Sequence, residues 1–218
     1  MPEPQPPAAI LWDLDGVLVD SREAHLEAWR ALCAETDRPF DRAYFERTFG
    51  LRNEDIVSGY WTDVGPEGRL RLERRKEELF RERAAGRIRA LPGAVDLVRE
   101  AARRGLRQAI VSSTPPENIA LALRAIGLEG AFDAIVSGDD VARGKPDPEG
   151  YLLAARRLGV DPRRCVVVED APAGVEAGRR AGARTLGLAR EREPSALGAD
   201  VVARDLRDAS VRRALFGE

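Results

Sequence analysis

The sequence predicts an α/β fold in which a parallel β-sheet is covered by helices on both faces and is interrupted by an all-helical insert. Two observations lead to this prediction. From Leu91 onward, short apolar segments alternate with helical patterns, which is typical of successive β-α units. Residues 21–90, in contrast, contain helical patterns and no convincing strand, and a segment of that length is too long to be a loop.

The alternation assigns strands and helices in order along the chain. The strands are expected at Ala9–Trp12, Gln108–Val111, Ala134–Val136, Cys165–Val168, Thr185–Leu188 and Val201–Val202. The helices between the later strands are expected at Ala94–Arg104, Glu117–Ile126, Glu149–Leu158 and Ala173–Ala181. The helical runs of the insert are expected at Glu23–Ala34, Arg42–Thr48, Glu54–Tyr60 and Glu67–Ala85.

Composition limits the class of protein. The chain has 218 residues, is 44% hydrophobic and 33% charged, and therefore fits a globular enzyme of one large domain or a core with a smaller insert. Its net charge of −2 gives no general attraction to nucleic acid or to an anionic membrane. No apolar run approaches the roughly 20 residues needed to span a bilayer. We expect a monomer.

The first residues of the chain and its two cysteines predict a cytoplasmic protein. The first eight residues are rich in proline, and we expect them to be disordered. They lack the basic start and apolar core of a signal peptide. Cys33 falls in a predicted helix and Cys165 in a predicted buried strand, so both are expected to be reduced core residues.

An apolar run delivers two aspartates, Asp13 and Asp15, into a turn at Gly16. Alternate residues of a strand face the same way, so both carboxylates should project together from the end of a buried strand. Two close like charges repel, so the site must hold a cation or raise the pKa of one carboxyl group. A divalent cation would leave one carboxylate free to act as a nucleophile. The alternative is an ordinary Asp-Gly turn, with Asp20 or Ser21 capping the next helix.

Three later segments also carry polar residues near the ends of predicted strands. They are Ser112-Ser113-Thr114, Gly144-Lys145-Pro146 and Glu169-Asp170. Ligands of parallel α/β sheets bind at the carboxyl ends of the strands, so we expect these residues to meet the paired aspartates. Each segment also has an ordinary explanation when taken alone: a strand-to-helix connection, a surface lysine and a helix N-cap.

In this order, the four segments resemble the haloacid dehalogenase superfamily of phosphotransferases. The resemblance spans Ile10 to about Leu188, and Glu169–Ala177 is most similar to the β-phosphoglucomutase and phosphoglycolate phosphatase branch. It implies that the α/β fold is a Rossmann-like parallel sheet core with an inserted all-helical cap domain. The core would comprise residues 1–20 and 91–218, and the cap residues 21–90.

The resemblance also implies the activity: a Mg²⁺-dependent phosphatase that hydrolyses a small phosphorylated metabolite through an aspartyl-phosphate. Asp13 would be the nucleophile. Asp15 would protonate the leaving oxygen and then take a proton from water, which needs a carboxyl group that holds a proton near neutral pH, as a neighbouring carboxylate favours. Ser112 and the backbone amides near Ser113 would hold the phosphoryl oxygens. Lys145 would neutralise both Asp13 and the transferring phosphate.

Mg²⁺ prefers oxygen ligands. The resemblance assigns it to Asp13, to the backbone carbonyl of Asp15 and to Asp170. Glu169 would reach the metal directly or through water.

Three residues of the cap, His25, Arg52 and Lys76, match positions that contact substrate in the resembled branch. The alternatives are a histidine that packs near the hinge and two surface charges. Of the 35 basic side chains only Lys76 and Lys145 are lysines, which suggests positions where the planar fork of arginine cannot replace a compact ammonium group.

Two other functions remain open from the sequence. A β-phosphoglucomutase would use the same aspartyl-phosphate but return the phosphate to a sugar, and His25 with Lys76 favours it. The poor match around Arg52 counts against it. A non-catalytic binding module would be expected to lack one of the four polar segments, and none is missing.

Overall fold

The computed structural model describes residues 7–190 and 193–218. In this part of the chain, one parallel sheet of six strands forms the core. From one edge to the other the strands are β5 (Ala134–Val136), β4 (Arg107–Val111), β1 (Ala9–Trp12), β6 (Cys165–Glu169), β7 (Arg184–Leu188) and β8 (Val201–Ala203). The predicted α/β class is confirmed. Residues 1–6, which include most of the segment expected to be disordered, lie outside the described residues.

The central strand explains where the site forms. β1 pairs in parallel with β4 on one side and β6 on the other, so that Leu11 lies between Ala109 and Val167. All four residues of β1 are fully buried, because helices cover both faces of the sheet. The chain order reverses at β1, and such a reversal opens a crevice at the carboxyl ends of the strands.

A helical insert follows β1. Its helices are α1 (Arg22–Glu35), α2 (Arg42–Thr48), α3 (Asn53–Tyr60) and α4 (Pro66–Ala84). Each lies within two residues of its predicted bounds. Two short strands, β2 (Val19–Asp20) and β3 (Arg89–Ala90), pair antiparallel where the chain enters and leaves the insert. The prediction that residues 21–90 contain no strand is therefore wrong at Arg89–Ala90, because two residues are too few to show an alternating pattern.

The remaining helices pack on the sheet. They are α5 (Ala94–Arg103), α6 (Pro116–Ala125), α7 (Glu149–Leu158), α8 (Pro172–Arg180) and α9 (Ala209–Phe216). Helix α9 is not among the elements predicted from the sequence, although Val211, Ala214 and Leu215 have the spacing of one helical face and are buried. None of the described helices is both long and apolar enough to cross a membrane.

Both cysteines lie where the sequence predicts. Cys33 is buried in α1 and Cys165 in β6, and both are free thiols. Burial raises the pKa of each thiol to about 11, so both stay protonated near neutral pH.

Candidate active site

Asp13 follows the last residue of β1 and is held at the centre of the sheet edge. Its amide donates a 2.9 Å hydrogen bond to the carbonyl oxygen of Val168, which continues the pairing of β1 with β6. The chain then turns back at Gly16, whose φ of 87° is a left-handed conformation that suits glycine. The amide of Gly16 donates to the carbonyl oxygen of Val19 at 2.9 Å. The turn keeps Asp13 and Asp15 at the carboxyl end of β1, as predicted.

Lys145 is brought to Asp13 from the loop before α7. Its Nζ donates to Oδ1 of Asp13 at 2.6 Å, to Oε1 of Glu169 at 2.5 Å and to the carbonyl oxygen of Val111 at 3.2 Å. These three acceptors use all three hydrogens of the ammonium group. Lys145 is buried, so the alternative of a solvated surface lysine is wrong.

Glu169, the last residue of β6, is an anchor for this lysine. Its Oε1 also accepts from Oη of Tyr151 at 2.7 Å, and its Oε2 accepts from the backbone amides of Asp170 and Ala171 at 3.0 and 3.2 Å. A methyl group at Gly174 in α8 would overlap this carboxylate. Glycine at this position therefore leaves room for the Glu169 side chain.

Three carboxylates could hold a metal ion. Asp13, Glu169 and Asp170 each offer an oxygen, and the three oxygens lie within 4.8 Å of one another. The carboxylate of Asp170 occupies the space that a Cβ atom on Gly16 would fill, so glycine at that position lets Asp170 approach the turn after β1. An all-oxygen set of this kind fits Mg²⁺. The set does not include the side chain of Asp15; the resemblance assigned only its backbone carbonyl.

Burial and charge shift the titration of this cluster. Burial raises the pKa of Asp13 well above its usual range, and the carboxylates of Glu169 and Asp170 act in the same direction against the opposing charge of Lys145. The pKa of Lys145 is also raised, because its burial is outweighed by the carboxylates of Asp13 and Glu169. A divalent cation at the acidic cluster would favour ionised Asp13.

Asp15 has different neighbours from those expected. Its Oδ1 accepts from Oγ of Ser21 at 2.5 Å and lies 3.5 Å from Nε2 of His25. Burial opposes ionisation, but these contacts outweigh it and lower the pKa of Asp15. These contacts stabilise the ionised form of Asp15. The sequence predicts the opposite, a protonated Asp15 beside a second carboxylate. Ser21 begins α1 but makes no side-chain cap, because its hydroxyl donates to Asp15 instead.

The serines after β4 lie beside Asp13. Ser112 is buried, and its Oγ accepts from the backbone amide of Thr114 at 3.2 Å. Ser113 turns toward the insert, where its Oγ donates to the carbonyl oxygen of Gly50 at 3.0 Å. Both serines line a cavity together with Asp13.

Residues of the insert also line this cavity. His25 and Lys76 both line it, with Trp29 and Phe49 forming an aromatic wall. Both basic residues are buried, so the alternative of Lys76 as a surface charge is wrong. Arg52 is not among the described residues that line this cavity; its Nη1 donates to the carbonyl oxygen of Ala142 at 2.9 Å.

Several residues of the site were missed by the sequence analysis. They are Ser21, Trp29, Tyr151, Glu77 and Asn118. Only one signal could have found any of them: Glu77 directly follows a rare lysine. Tyr151 and Asn118 act through contacts with residues 18 and 41 positions away, whereas Ser21 contacts Asp15, six positions away, where the sequence favours a helix cap.

Comparison with known proteins agrees with this geometry. A model of the haloacid dehalogenase-like hydrolase family matches residues 7–182. The chain belongs to the haloacid dehalogenase-like hydrolase family. The resemblance seen in the sequence is therefore confirmed. The predicted enzyme class, a phosphoric monoester hydrolase of the haloacid dehalogenase type, is also confirmed.

Two curated relatives cover nearly the whole chain. The first is validoxylamine A 7'-phosphate phosphatase of Streptomyces hygroscopicus subsp. limoneus, 33% identical over 206 residues, or 90% of this chain and 92% of the relative. The second is β-phosphoglucomutase of Bacillus subtilis (strain 168), 32% identical over 208 residues, or 92% of this chain and 90% of the relative. Relatives of this family thus include both a phosphatase and a mutase.

A solved structure shows the same fold. The crystal structure of CbbY from Rhodobacter sphaeroides in complex with phosphate superposes with a TM-score of 0.82 at 31% identity, and the match covers 95% of this chain and 96% of that one.

Proposed function

We propose that this haloacid dehalogenase-like hydrolase is a Mg²⁺-dependent phosphatase that hydrolyses a small phosphorylated metabolite through an aspartyl-phosphate on Asp13. The observation that carries the proposal is the position of Asp13, which shares Lys145 with Glu169 and shares a cavity with Ser112. A nucleophile, a fixed cation and a phosphate-binding hydroxyl therefore meet at one point, which is what phosphoryl transfer requires.

Each step of the proposed reaction has a residue to perform it. A carboxylate oxygen of Asp13 attacks phosphorus, and the bond between phosphorus and the leaving oxygen breaks as Asp15 gives that oxygen a proton. Asp15 then takes a proton from water while the water oxygen attacks phosphorus and releases Asp13. The contacts of Asp15 with Ser21 and His25 favour its ionised form, which is the form that this second step needs.

The proposed Mg²⁺ would be held by Asp13 and Asp170, with the backbone carbonyl of Asp15. It would supply positive charge for the phosphoryl oxygens. Both oxygens of Glu169 already accept two hydrogen bonds each, from Lys145 and Tyr151 and from two backbone amides. We therefore propose that Glu169 positions Lys145 and contacts the metal through water.

We further propose that residues 21–90 act as a cap on a core of residues 1–20 and 91–218. The insert contributes His25, Trp29, Phe49 and Lys76 to the walls of the cavity and contacts the core through the hydrogen bond from Ser113 to Gly50. A closed cap would exclude bulk water and hold the substrate in line with Asp13.

β-Phosphoglucomutase activity is a second candidate, because a 32% identical relative carries that name and because His25 and Lys76 share the cavity. The reaction differs only in the acceptor of the phosphate: water in a phosphatase, a sugar hydroxyl in the mutase.

The test is a phosphate-release screen over sugar phosphates, phosphoglycolate and nucleotides, each with and without Mg²⁺. A parallel reaction contains β-glucose 1-phosphate, Mg²⁺ and a trace of the 1,6-bisphosphate, and is assayed for glucose 6-phosphate and free phosphate. We expect Mg²⁺-dependent phosphate release. Rapid formation of glucose 6-phosphate with little free phosphate would establish the mutase instead.

A further inference from the structure

Lys76 lies within the insert with its charge already paired. Its Nζ donates to Oε1 of the neighbouring Glu77 at 2.7 Å and contacts Nδ1 of His25 at 2.9 Å. An ammonium group only donates, so Nδ1 is the acceptor and His25 carries its hydrogen on Nε2, which faces Asp15. One N–H of Lys76 remains beyond these two contacts. Because the carboxylate of Glu77 already balances the charge of Lys76, this remaining N–H is better suited to donate to an uncharged hydroxyl or carbonyl oxygen than to a phosphate.

Glu77 is fixed on both sides. Its Oε1 accepts a hydrogen bond from the side chain of Asn53 in the insert, and its Oε2 accepts one from the side chain of Asn118 in α6 of the core. Asn118 is held in turn by Nη1 of Arg81 at 3.1 Å. Glu77 is buried, which opposes ionisation, but the charge of Lys76 and the hydrogen bonds from Lys76 and Asn53 outweigh burial and lower its pKa, so the carboxylate is ionised near neutral pH. The carboxylate is therefore a permanent counter-charge for Lys76.

The other cation expected to contact substrate, Arg52, lines two neighbouring cavities that also include Ser113, and its guanidinium group is already paired. Nη2 of Arg52 lies 3.0 Å from Oε2 of Glu54, and its Nη1 contacts Ala142. Among the described residues that line the cavity with Asp13, the basic ones are His25 and Lys76. His25 is uncharged in this arrangement, because its Nδ1 accepts from the ammonium group of Lys76 and therefore carries no hydrogen. The end of the cavity away from the phosphoryl site thus has no uncompensated positive charge among these residues.

We propose that Glu77 determines specificity by cancelling the charge of Lys76, so that the site accepts phosphomonoesters whose remaining part is uncharged and rich in hydroxyl groups, and rejects bisphosphates. A second phosphate at the Lys76 end would meet a neutral ion pair with a carboxylate behind it, and it would lose its hydration without gaining a counter-charge. This inference rests on the proposed phosphatase function and defines its substrate class.

The test compares monophosphates with bisphosphates of the same sugar. The pairs are fructose 1-phosphate with fructose 1,6-bisphosphate, and glucose 6-phosphate with glucose 1,6-bisphosphate. For the wild type we expect kcat/KM at least about tenfold higher for the monophosphate of each pair that is hydrolysed, since one uncompensated charge has an effect of this order. Glu77→Gln frees the charge of Lys76 and should raise the ratio of bisphosphate to monophosphate by about tenfold or more.

Two variants serve as controls. Glu77→Asp keeps the charge and should keep the wild-type ratio. Glu78→Gln removes the neighbouring exposed carboxylate, which pairs with Arg75, and should also leave the ratio unchanged. A wild type that prefers bisphosphates, a folded Glu77→Gln variant with the wild-type ratio, or an equal shift in Glu78→Gln would overturn the inference.

Melting temperatures identify a variant that does not fold. If Glu77→Gln is unfolded, the double variant Lys76→Met with Glu77→Gln removes both charges and leaves one amide oxygen as an acceptor for Asn53 or Asn118. We then expect the double variant to hydrolyse the monophosphate with a kcat/KM within about tenfold of the wild-type value and to keep the preference for monophosphate over bisphosphate. A greater loss in the folded double variant would show that the charge of Lys76 acts on the substrate, and would overturn the inference. Failure of the proposed function gives a different result, namely a wild type that releases phosphate from no compound of the screen.

Discussion

The ammonium group of Lys145 donates a 2.6 Å hydrogen bond to Oδ1 of Asp13, although 132 positions separate the two residues. The contact forms because β1 and β4 are neighbours in the sheet and Lys145 also donates to the carbonyl oxygen of Val111, the last residue of β4. It places a fixed positive charge beside the atom that we propose as the nucleophile.

Lys145→Ala should reduce kcat by about 10²–10³-fold, the usual cost of losing a preorganised charge at a reacting group. Lys76→Ala should cost less, because Glu77 already cancels the charge of Lys76. Steady-state kinetics on the best substrate of the screen give both values. Circular dichroism checks that each variant is folded, since loss of Lys145 leaves two buried carboxylates without their cation. Equal, small losses in both variants would contradict the proposed role of Lys145.

Removal of divalent cations should abolish turnover. Asp13, Glu169 and Asp170 crowd their carboxylates together, and a divalent cation would relieve their repulsion of each other and of the phosphate. The measurement is phosphate release in EDTA followed by restoration with Mg²⁺. Full activity in the chelator would rule out the proposed metal.

Asp13→Asn should abolish phosphate release while the fold is retained, because an amide oxygen is a poor nucleophile at phosphorus. Asp15→Asn should slow turnover by about 10²–10⁴-fold, the usual contribution of general acid–base catalysis. Rapid-quench trapping of phosphorylated protein provides a second measurement, since only chains with Asp13 should become labelled. A wild-type rate in Asp13→Asn would mean that water attacks the phosphorus directly.

Gly174→Ala should lower both stability and activity. The new methyl group would overlap the carboxylate of Glu169, which cannot move without losing its four hydrogen bonds. We expect a loss of about 1–3 kcal/mol in the free energy of unfolding, as for other overpacked sites. Urea unfolding measures it. Gly65→Ala is the matched control, since a Cβ atom there meets no atom within 4 Å and should change stability by less than about 1 kcal/mol.

The free energy of unfolding should decrease as the pH is lowered below about 6.5, because of His25, the single histidine of the chain. Burial and the charge of Lys76 lower its pKa in the folded protein below the ordinary value of 6.5. Below pH 6.5 the unfolded chain therefore binds a proton that the folded chain does not, and the free energy of unfolding falls by up to about 1.4 kcal/mol per pH unit. Above pH 6.5 His25 is neutral in both the folded and the unfolded chain, so it causes no loss of stability there.

Thermal and urea unfolding between pH 8 and pH 5 measure this dependence. His25→Gln removes the titrating group and should flatten the curve between pH 6.5 and pH 5. The carboxylates that face His25, those of Asp15 and Glu77, have lowered pKa values and should contribute only at lower pH. An unchanged curve in His25→Gln would assign the acid sensitivity to another group.

Local patterns in the sequence were enough to predict the sheet, most of its helices and the residues that meet at its edge. The apolar residues Ala9–Trp12 predict a strand buried on both faces, and the spacing of Asp13 and Asp15 follows from the two-residue period of a strand. The paired antiparallel strands at Val19–Asp20 and Arg89–Ala90 escaped this reasoning because each has only two residues. Their pairing joins segments that are far apart in the chain.

The sequence alone was enough to predict that the paired aspartates, the serines after β4 and Lys145 lie near one sheet edge. The roles of these residues and the choice of Lys76 came from the resemblance to a known family. Only the tertiary structure decided how their charges are balanced. Arg52 contacts Ala142 instead of lining the cavity with Asp13. Glu77 contacts both its neighbour Lys76 and Asn118, which lies 41 positions after Glu77. These contacts depend on how the insert packs on the core, and the energy of a charge depends on every group around it, whatever its distance in the sequence.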